Sequence, residues 1–391
     1  MKKLFAILFL LYALLYPATA QTDSIPEEKP ARFQVQGYLK NLQTATFGPE
    51  KGSLFTNNFL HNRLNFKYQV SSTLSARLEL RTRLFWGEQV RITPGFAQLA
   101  DYESGIMDLS WTPVEKPALV GHVIIDRLSL NWQNEYWDIT LGRQRINWGI
   151  TTAWNPNDLF NAFNFFDFDY EERPGSDALR VRYSRDGMSG FDVAVSKGKA
   201  AETTTAALQY HFNSKGYDVQ VLGAWYQNDL ALGCGWAGNI GDAGFKGEAT
   251  WFQPRSNFGD TTGTLSLTLE SNFTFESGWY LGGAYLYTGS GYSSPNALNL
   301  LNAQQLSAKR LMPFKHSVLA QTAKQITPIF MANLSVIYCP GPDALIIFPV
   351  LTYSLNDNWD LNLVAQSFFI PAGKRFKNEG NSLILRLKWG F

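Results

Sequence analysis

The chain has 391 residues, with 34 Lys and Arg against 33 Asp and Glu, a formal net charge of +1. So even a balance leaves no bulk basic field to attract nucleic acid. Hydrophobic residues make up 45% and aromatics 15%, yet no run reaches the roughly 20 apolar residues that a membrane-crossing helix needs.

Lys2 and Lys3 precede an apolar run from Leu4 to Tyr16, and Ala18-Thr19-Ala20 follows with small side chains. That order predicts a secretory signal peptide over 1–20, cleaved after Ala20. Without Lys2 and Lys3 there remain 32 basic against 33 acidic residues, a net charge of −1. Residues 21–30 read as a flexible periplasmic leader, and 31–391 as one domain. Within it, period-2 runs predict 18 strands: 31–41, 59–70, 73–86, 122–134, 136–148, 176–186, 190–198, 203–213, 216–227, 229–239, 243–254, 262–275, 277–289, 315–325, 327–338, 344–355, 358–370 and 381–391. Sixteen is the alternative if one hairpin is misread.

The connections sort by parity. Even ones are short, among them Ser71-Ser72, Asn134-Glu135, Glu276 and Asn356-Asp357, whereas 42–58, 87–121, 149–175 and 290–314 are all odd. A soluble β-sandwich has no reason to sort loops this way. An outer-membrane barrel does, with tight periplasmic turns and longer outer loops. The fold class expected is all-β, a transmembrane antiparallel up-and-down barrel with an infolded constriction loop. Segment 296–312 has helical spacing and predicts a short helix within an outer loop. Cys234 and Cys339 fall in different strands and read as free wall residues rather than a disulfide framework.

Side-chain alternation assigns the faces. In 73–86, Leu74, Ala76, Leu78, Leu80 and Leu84 share one face, and Arg77, Glu79, Arg81 and Arg83 the other. A charge on the lipid face at mid-bilayer costs about 2–4 kcal/mol, so the charged face is the lumen. The same rule turns Arg63 and Lys67, Arg127, Arg180 and Arg182, and Arg386 with Lys388 inward. Glu248 and Glu270 also face in. An arginine ladder over the first six strands and the last is expected, and it suits small hydrophilic solutes, anions among them. Trp86, Trp132, Trp137, Trp148, Trp279, Tyr280 and Trp359 read as interfacial girdles.

Loop 149–175 carries Asp158, Asp167, Asp169, Glu171 and Glu172 against Arg173, a local charge of −4, with six aromatics between Phe160 and Tyr170. So many aromatics favour folding back into the barrel, where the acids would meet the ladder. Two readings stay open: an arginine-lined passage selecting anions, or arginines neutralised by the loop.

The final stretch, SLILRLKWGF over 382–391, alternates apolar and basic residues up to Phe391. It resembles the closing strand of bacterial outer-membrane proteins, whose terminal aromatic is read by the barrel-insertion machinery. LGRQRINWG (141–149), Trp154-Asn155-Pro156-Asn157-Asp158 and YSLNDNWDLNLVAQ (353–366) resemble the motifs of the alginate-export-like group of 18-stranded Gram-negative porins. That resemblance implies passive diffusion through an arginine-lined constriction, with Arg143, Arg145 and Asn157-Asp158 at the narrowing. With only short periplasmic turns, nothing corresponds to a long gating segment, so alginate itself is not the expected solute. The partners expected are outer-membrane lipid and a small hydrophilic solute, with no cofactor and no metal; monomer and homo-oligomer stay open. Alternatives are a non-conducting receptor or binding barrel and, less favoured, an outer-membrane hydrolase. His61, His122, His211 and His316 form no metal-ligand spacing, and no nucleophile motif occurs.

Overall fold

Eighteen strands close into a ring in the computed structural model, which describes residues 31–48, 54–101, 105–161, 174–256, 258–293, 306–373 and 375–391. The expected signal peptide and leader lie outside the described residues. In chain order the strands are β1 (Phe33–Phe47), β2 (Leu54–Gln69), β3 (Leu74–Gly87), β4 (Ser110–Lys116), β5 (Leu119–Gln133), β6 (Trp137–Gln144) and β7 (Ser176–Ser184). There follow β8 (Gly190–Ser196), β9 (Thr205–Ser214), β10 (Tyr217–Tyr226), β11 (Asp229–Ile240), β12 (Ala243–Pro254) and β13 (Thr264–Thr274). The last six are β14 (Trp279–Thr288), β15 (His316–Thr327), β16 (Phe330–Cys339), β17 (Ala344–Asn356), β18 (Trp359–Ala372) and β19 (Arg375–Gly390). Each ring strand pairs antiparallel with the next, and β19 closes on β1 from Tyr38↔Gly390 to Phe47↔Asn381. The count of 16 is thereby excluded.

The nineteenth strand, β4, stands outside that succession. β3 pairs directly with β5, while β4 pairs with the first residues of β5 along its other edge. There β6 is missing, because its pairing with β5 starts only at Leu128↔Arg143. β4 thus completes the wall where β6 has left it. It falls in the stretch 87–121 expected to be a loop; Pro113 sits where its register shifts, between Trp111 and Val114, and Pro demotes a strand signal. Conversely, 42–58 is mostly strand, since β1 runs to Phe47 and β2 starts at Leu54.

Alternation sorts the side chains as the pleat requires. In β13, Ser266, Thr268 and Glu270 are buried inside, and in β14, Ala284 and Leu286. Outside, Leu78, Leu128, Leu130, Leu141 and Leu179 are exposed apolar side chains of a largely apolar belt. A bulge in β5 breaks the rule: Glu79 pairs with Arg127 and Leu80 with Ile125, so Asp126 is the extra residue. Such a bulge re-aims a side chain, and here it leaves Asp126 and Arg127 both buried on the lumen side.

The eight even connections between ring strands lie at one end, and none exceeds five residues. In the turn between β7 and β8, the Asp186 carboxylate accepts the Ser189 and Met188 N–H groups, which hold it below the usual carboxylate range. Aromatic pairs ring this end: Trp137–Tyr183 and Phe191–Tyr210 at 4.8 Å, Trp389–Phe391 at 4.9 Å and Trp359–Trp389 at 6.0 Å. Trp148, expected in a girdle, is instead buried inside the barrel. Both cysteines are free.

Substitution should separate the faces. Leu78→Arg is expected to lower unfolding stability in lipid vesicles by about 2–4 kcal/mol, whereas Arg77→Leu next to it changes it little; urea titration of the reconstituted barrel measures both.

Candidate functional site

The interior is organised by where the chain leaves the wall. At Gly142, φ is +114°, and a Cβ would stand 2.2 Å from the Leu128 carbonyl oxygen, so this position requires glycine. Two residues on, the Gln144 amide donates to the carbonyls of Thr140 (2.9 Å) and Ala178 (3.0 Å), tying off the strand end. The chain then crosses the lumen from Arg145 to Asn161 instead of continuing as the strand expected to 148.

This segment docks on the inner face of β8 to β13. Trp148 Nε1 donates to Asp192 at 2.8 Å, and Gln220 donates to the Trp148 carbonyl. Glu248 is the chief anchor. Its Oε1 accepts the N–H groups of Ile150 (2.5 Å) and Thr151 (2.8 Å) and the Thr151 hydroxyl (3.1 Å); its Oε2 accepts the Asn157 N–H (3.0 Å). Glu270 takes the Thr152 N–H at 2.7 Å. Asn157 accepts from the Thr250 hydroxyl and donates to the Cys234 carbonyl. It approaches so closely that a Cβ at Gly233 or Gly235 would lie 2.8 or 2.9 Å from its amide.

A second outer-loop segment folds in beside it. Leu311, Met312 and Phe314 pack with Trp154, Leu286, Ile337 and Ile346 in one buried cluster, and Lys309 pairs with Asp229 at 2.7 Å. The helix expected over 296–312 lies outside the described residues as far as 305; from Ser307 to Arg310 the chain makes a turn closed by mutual backbone hydrogen bonds. Apolar inner residues on β14 to β17, Leu286, Leu319, Ile337 and Ile346 among them, invite this cover, a signal legible in their alternation.

The opposite wall carries the ladder. Arg63 bridges Glu79 (2.5 Å) and Asp126 (2.6 Å), and Arg81 reaches Asp126 at 3.1 Å. Arg180 pairs with Asp192 and Arg182 with Asp138. Arg83 contacts His122 at 3.0 Å and the Ala100 carbonyl, and Arg386 donates to Asn362 at 3.0 Å. Towards the short-turn end, Lys67, Arg77, Arg127, Arg145, Arg180 and Arg182 line one cavity of about 350 Å³ in which Asp138 is the sole carboxylate among the described residues. Arg77 has only a 3.9 Å approach to Glu79, and Lys67 and Arg145 have no ion pair among the described residues.

Three expectations about individual residues need restating. Arg143 does not face the lumen: its register partners are Leu128 and Asp177, on the exterior face. There it is buried by the segment before β4, pairing with Asp177 at 2.7 Å and donating to the Met107 carbonyl. Asp158 is fully buried within the infolded segment. Asp167 and Asp169 lie outside the described residues. Among the described residues, the acids that meet arginines belong to the wall: Glu79, Asp126, Asp138, Asp177 and Asp192, of which alternation alone places Glu79, Asp138 and Asp192 inward.

Removing an anchor should loosen the interior. Glu248→Ala leaves three backbone N–H groups without an acceptor and is expected to cost on the order of 3 kcal/mol, with larger and noisier single-channel currents in a planar bilayer. Arg63→Ala, which takes the close partner from Glu79 and leaves Asp126 to Arg81, should cost about 3 kcal/mol in urea unfolding.

No protein family and no curated protein matches this sequence. Solved structures do. OccAB4 of Acinetobacter baumannii superposes with a TM-score of 0.58 at 8% identity, covering 94% of this chain and 100% of that one. OccK8 (OprE) of Pseudomonas aeruginosa gives 0.58 at 11% identity, covering 92% and 98%. The outer membrane protein OprD from the same organism gives 0.57 at 10% identity, covering 92% and 93%. At such identities the likeness is one of fold, and this chain has the fold of those barrels.

Proposed function

We propose that the protein is an outer-membrane channel for passive diffusion of small hydrophilic solutes, with anions favoured at its short-turn end. The observation that carries this reading is the cavity where, among the described residues, six cationic side chains face a single carboxylate. An unbalanced charge lining a wet passage selects its counter-ion. Each such charge about 6 Å from a monovalent ion in water is worth about threefold in local concentration. Within the cavity Arg180 and Arg182 are offset by Asp192 and Asp138, and further up the lumen Arg63 and Arg81 by Glu79 and Asp126, so these four contribute less than Lys67 and Arg145.

The membrane setting is supported by the apolar exterior belt, by aromatics at the short-turn end, by the signal-peptide pattern at the N-terminus and by the OprD-type barrels this chain is similar to. The alginate-export-like reading of 141–158 adds an arginine-lined passage, with Arg145 rather than Arg143 as its contributor. The same similarity to channels favours transport over catalysis.

Reversal potentials across a planar bilayer in a salt gradient test the proposal. The wild type should favour the anion, and Lys67→Glu combined with Arg145→Glu should move the ratio toward cations. Cation selectivity in the wild type, or no open-channel current, defeats it.

A further inference from the structure

On the exterior, the outer ends of β8 to β12 form a groove rather than a convex wall. Its floor is made of small residues: Ala206 stands beside Trp225, and Gly223 lies between Leu208 and Leu232 in the ladder. A Cβ added to Gly223 meets only a Leu232 methyl at 3.7 Å, so the floor is open space and not a position glycine is forced to hold. Trp225, Leu232 and Trp251 rise around it, each at least 41% exposed, and the groove measures about 620 Å³.

The groove has one polar end. Arg255, directly after β12, lays its guanidinium 3.3 Å from the centre of the Trp225 ring. Cation–π contact orients that cation at the rim, and among the described residues no carboxylate lines the groove. Connections of this end have odd parity, which under the channel reading puts the rim at the outer-leaflet headgroup level. Trp is the residue that settles at that depth.

We infer that this groove binds an outer-leaflet lipid, one acyl chain lying over Gly223 and Ala206 and a headgroup phosphate held by Arg255. Among lipid tails there is no net hydrophobic gain from filling an apolar groove, so shape alone binds weakly. The planar guanidinium adds the discrimination, since it takes phosphate oxygens two at a time. A phosphorylated glycolipid therefore fits better than a zwitterionic or dephosphorylated one. The inference rests on the membrane reading of the barrel but not on its ion selectivity.

The test uses full-length protein in detergent, offered a bisphosphorylated acylated diglucosamine and its dephosphorylated form, with bound lipid counted by native mass spectrometry. The wild type should prefer the phosphorylated form by about fivefold, the worth of one cation beside an anionic headgroup. Arg255→Ala should abolish that preference while keeping acyl occupancy; Gly223→Leu, filling the floor, should lose both lipids. Heat-modifiable gel mobility of each variant reports that its barrel is intact. Equal binding of the two lipids by the wild type, unchanged occupancy in Gly223→Leu, or displacement of the lipid by excess inorganic phosphate each overturns the inference. If the wild type conducts and is heat-modifiable yet shows no preference, the groove assignment falls alone; if it forms no barrel in detergent, the membrane reading falls with it.

Discussion

Every peptide group in the wall must find its partner in a neighbouring strand, and this constraint governs the rest of the molecule. A sheet with apolar residues outside has no water there to satisfy an open edge. The return of β19 onto β1 removes the edge, with Gly37 and Phe391 exchanging both backbone hydrogen bonds at the seam. Once the ring is closed, the pleat leaves no choice: alternate side chains go to an enclosed interior. Eighteen strands make that interior too wide for side chains to fill. Either water occupies it or the chain folds back into it, and this chain does the latter along one side.

Folding a loop inward brings unsatisfied backbone donors into a place with few acceptors. Glu248 and Glu270 answer that need. Their carboxylates accept from the infolded backbone rather than from arginines. Charge-assisted acceptance of several N–H groups is among the stronger neutral–ion arrangements available. On this side of the lumen it is wall acids that hold the infolded segment. On the other half, Glu79 and Asp126 hold Arg63, so the ladder is largely internally paired before any solute arrives.

Much of this was legible from the sequence because a period of two is a strong signal when one face is greasy and the other charged. β3, with its Leu and Arg faces, and β19 read without ambiguity, and all 18 ring strands were located. What escaped depended on long-range geometry. The bulge at Asp126 is one extra residue against β3 and has no local signature, yet it supplies the carboxylate between Arg63 and Arg81. Arg143 followed the alternation to an exterior position that no membrane would tolerate, and only the cover of Met107 and the pairing with Asp177 make it tolerable. Trp148 looked like a girdle residue because nothing in its neighbours announces that the chain has already left the wall. Gly142 was the available clue, a residue without a side chain at the last turn of β6.

The two departures from regularity share one cause. When the chain turns inward after Gln144, it abandons the wall beside the outer half of β5, and an unpaired edge would open there. β4 supplies the missing hydrogen bonds to Ile124, Val123 and Gly121. The segment just before it is fixed through Met107, whose N–H donates to Asp177 and whose carbonyl accepts from Arg143. The buried Arg143–Asp177 pair thus belongs to the repair of the wall rather than to the passage. Buried pairs contribute little net stability against apolar substitutes, but they specify geometry. Here the geometry specified is the seat of β4, and with it the integrity of the wall that lets one strand leave to narrow the lumen.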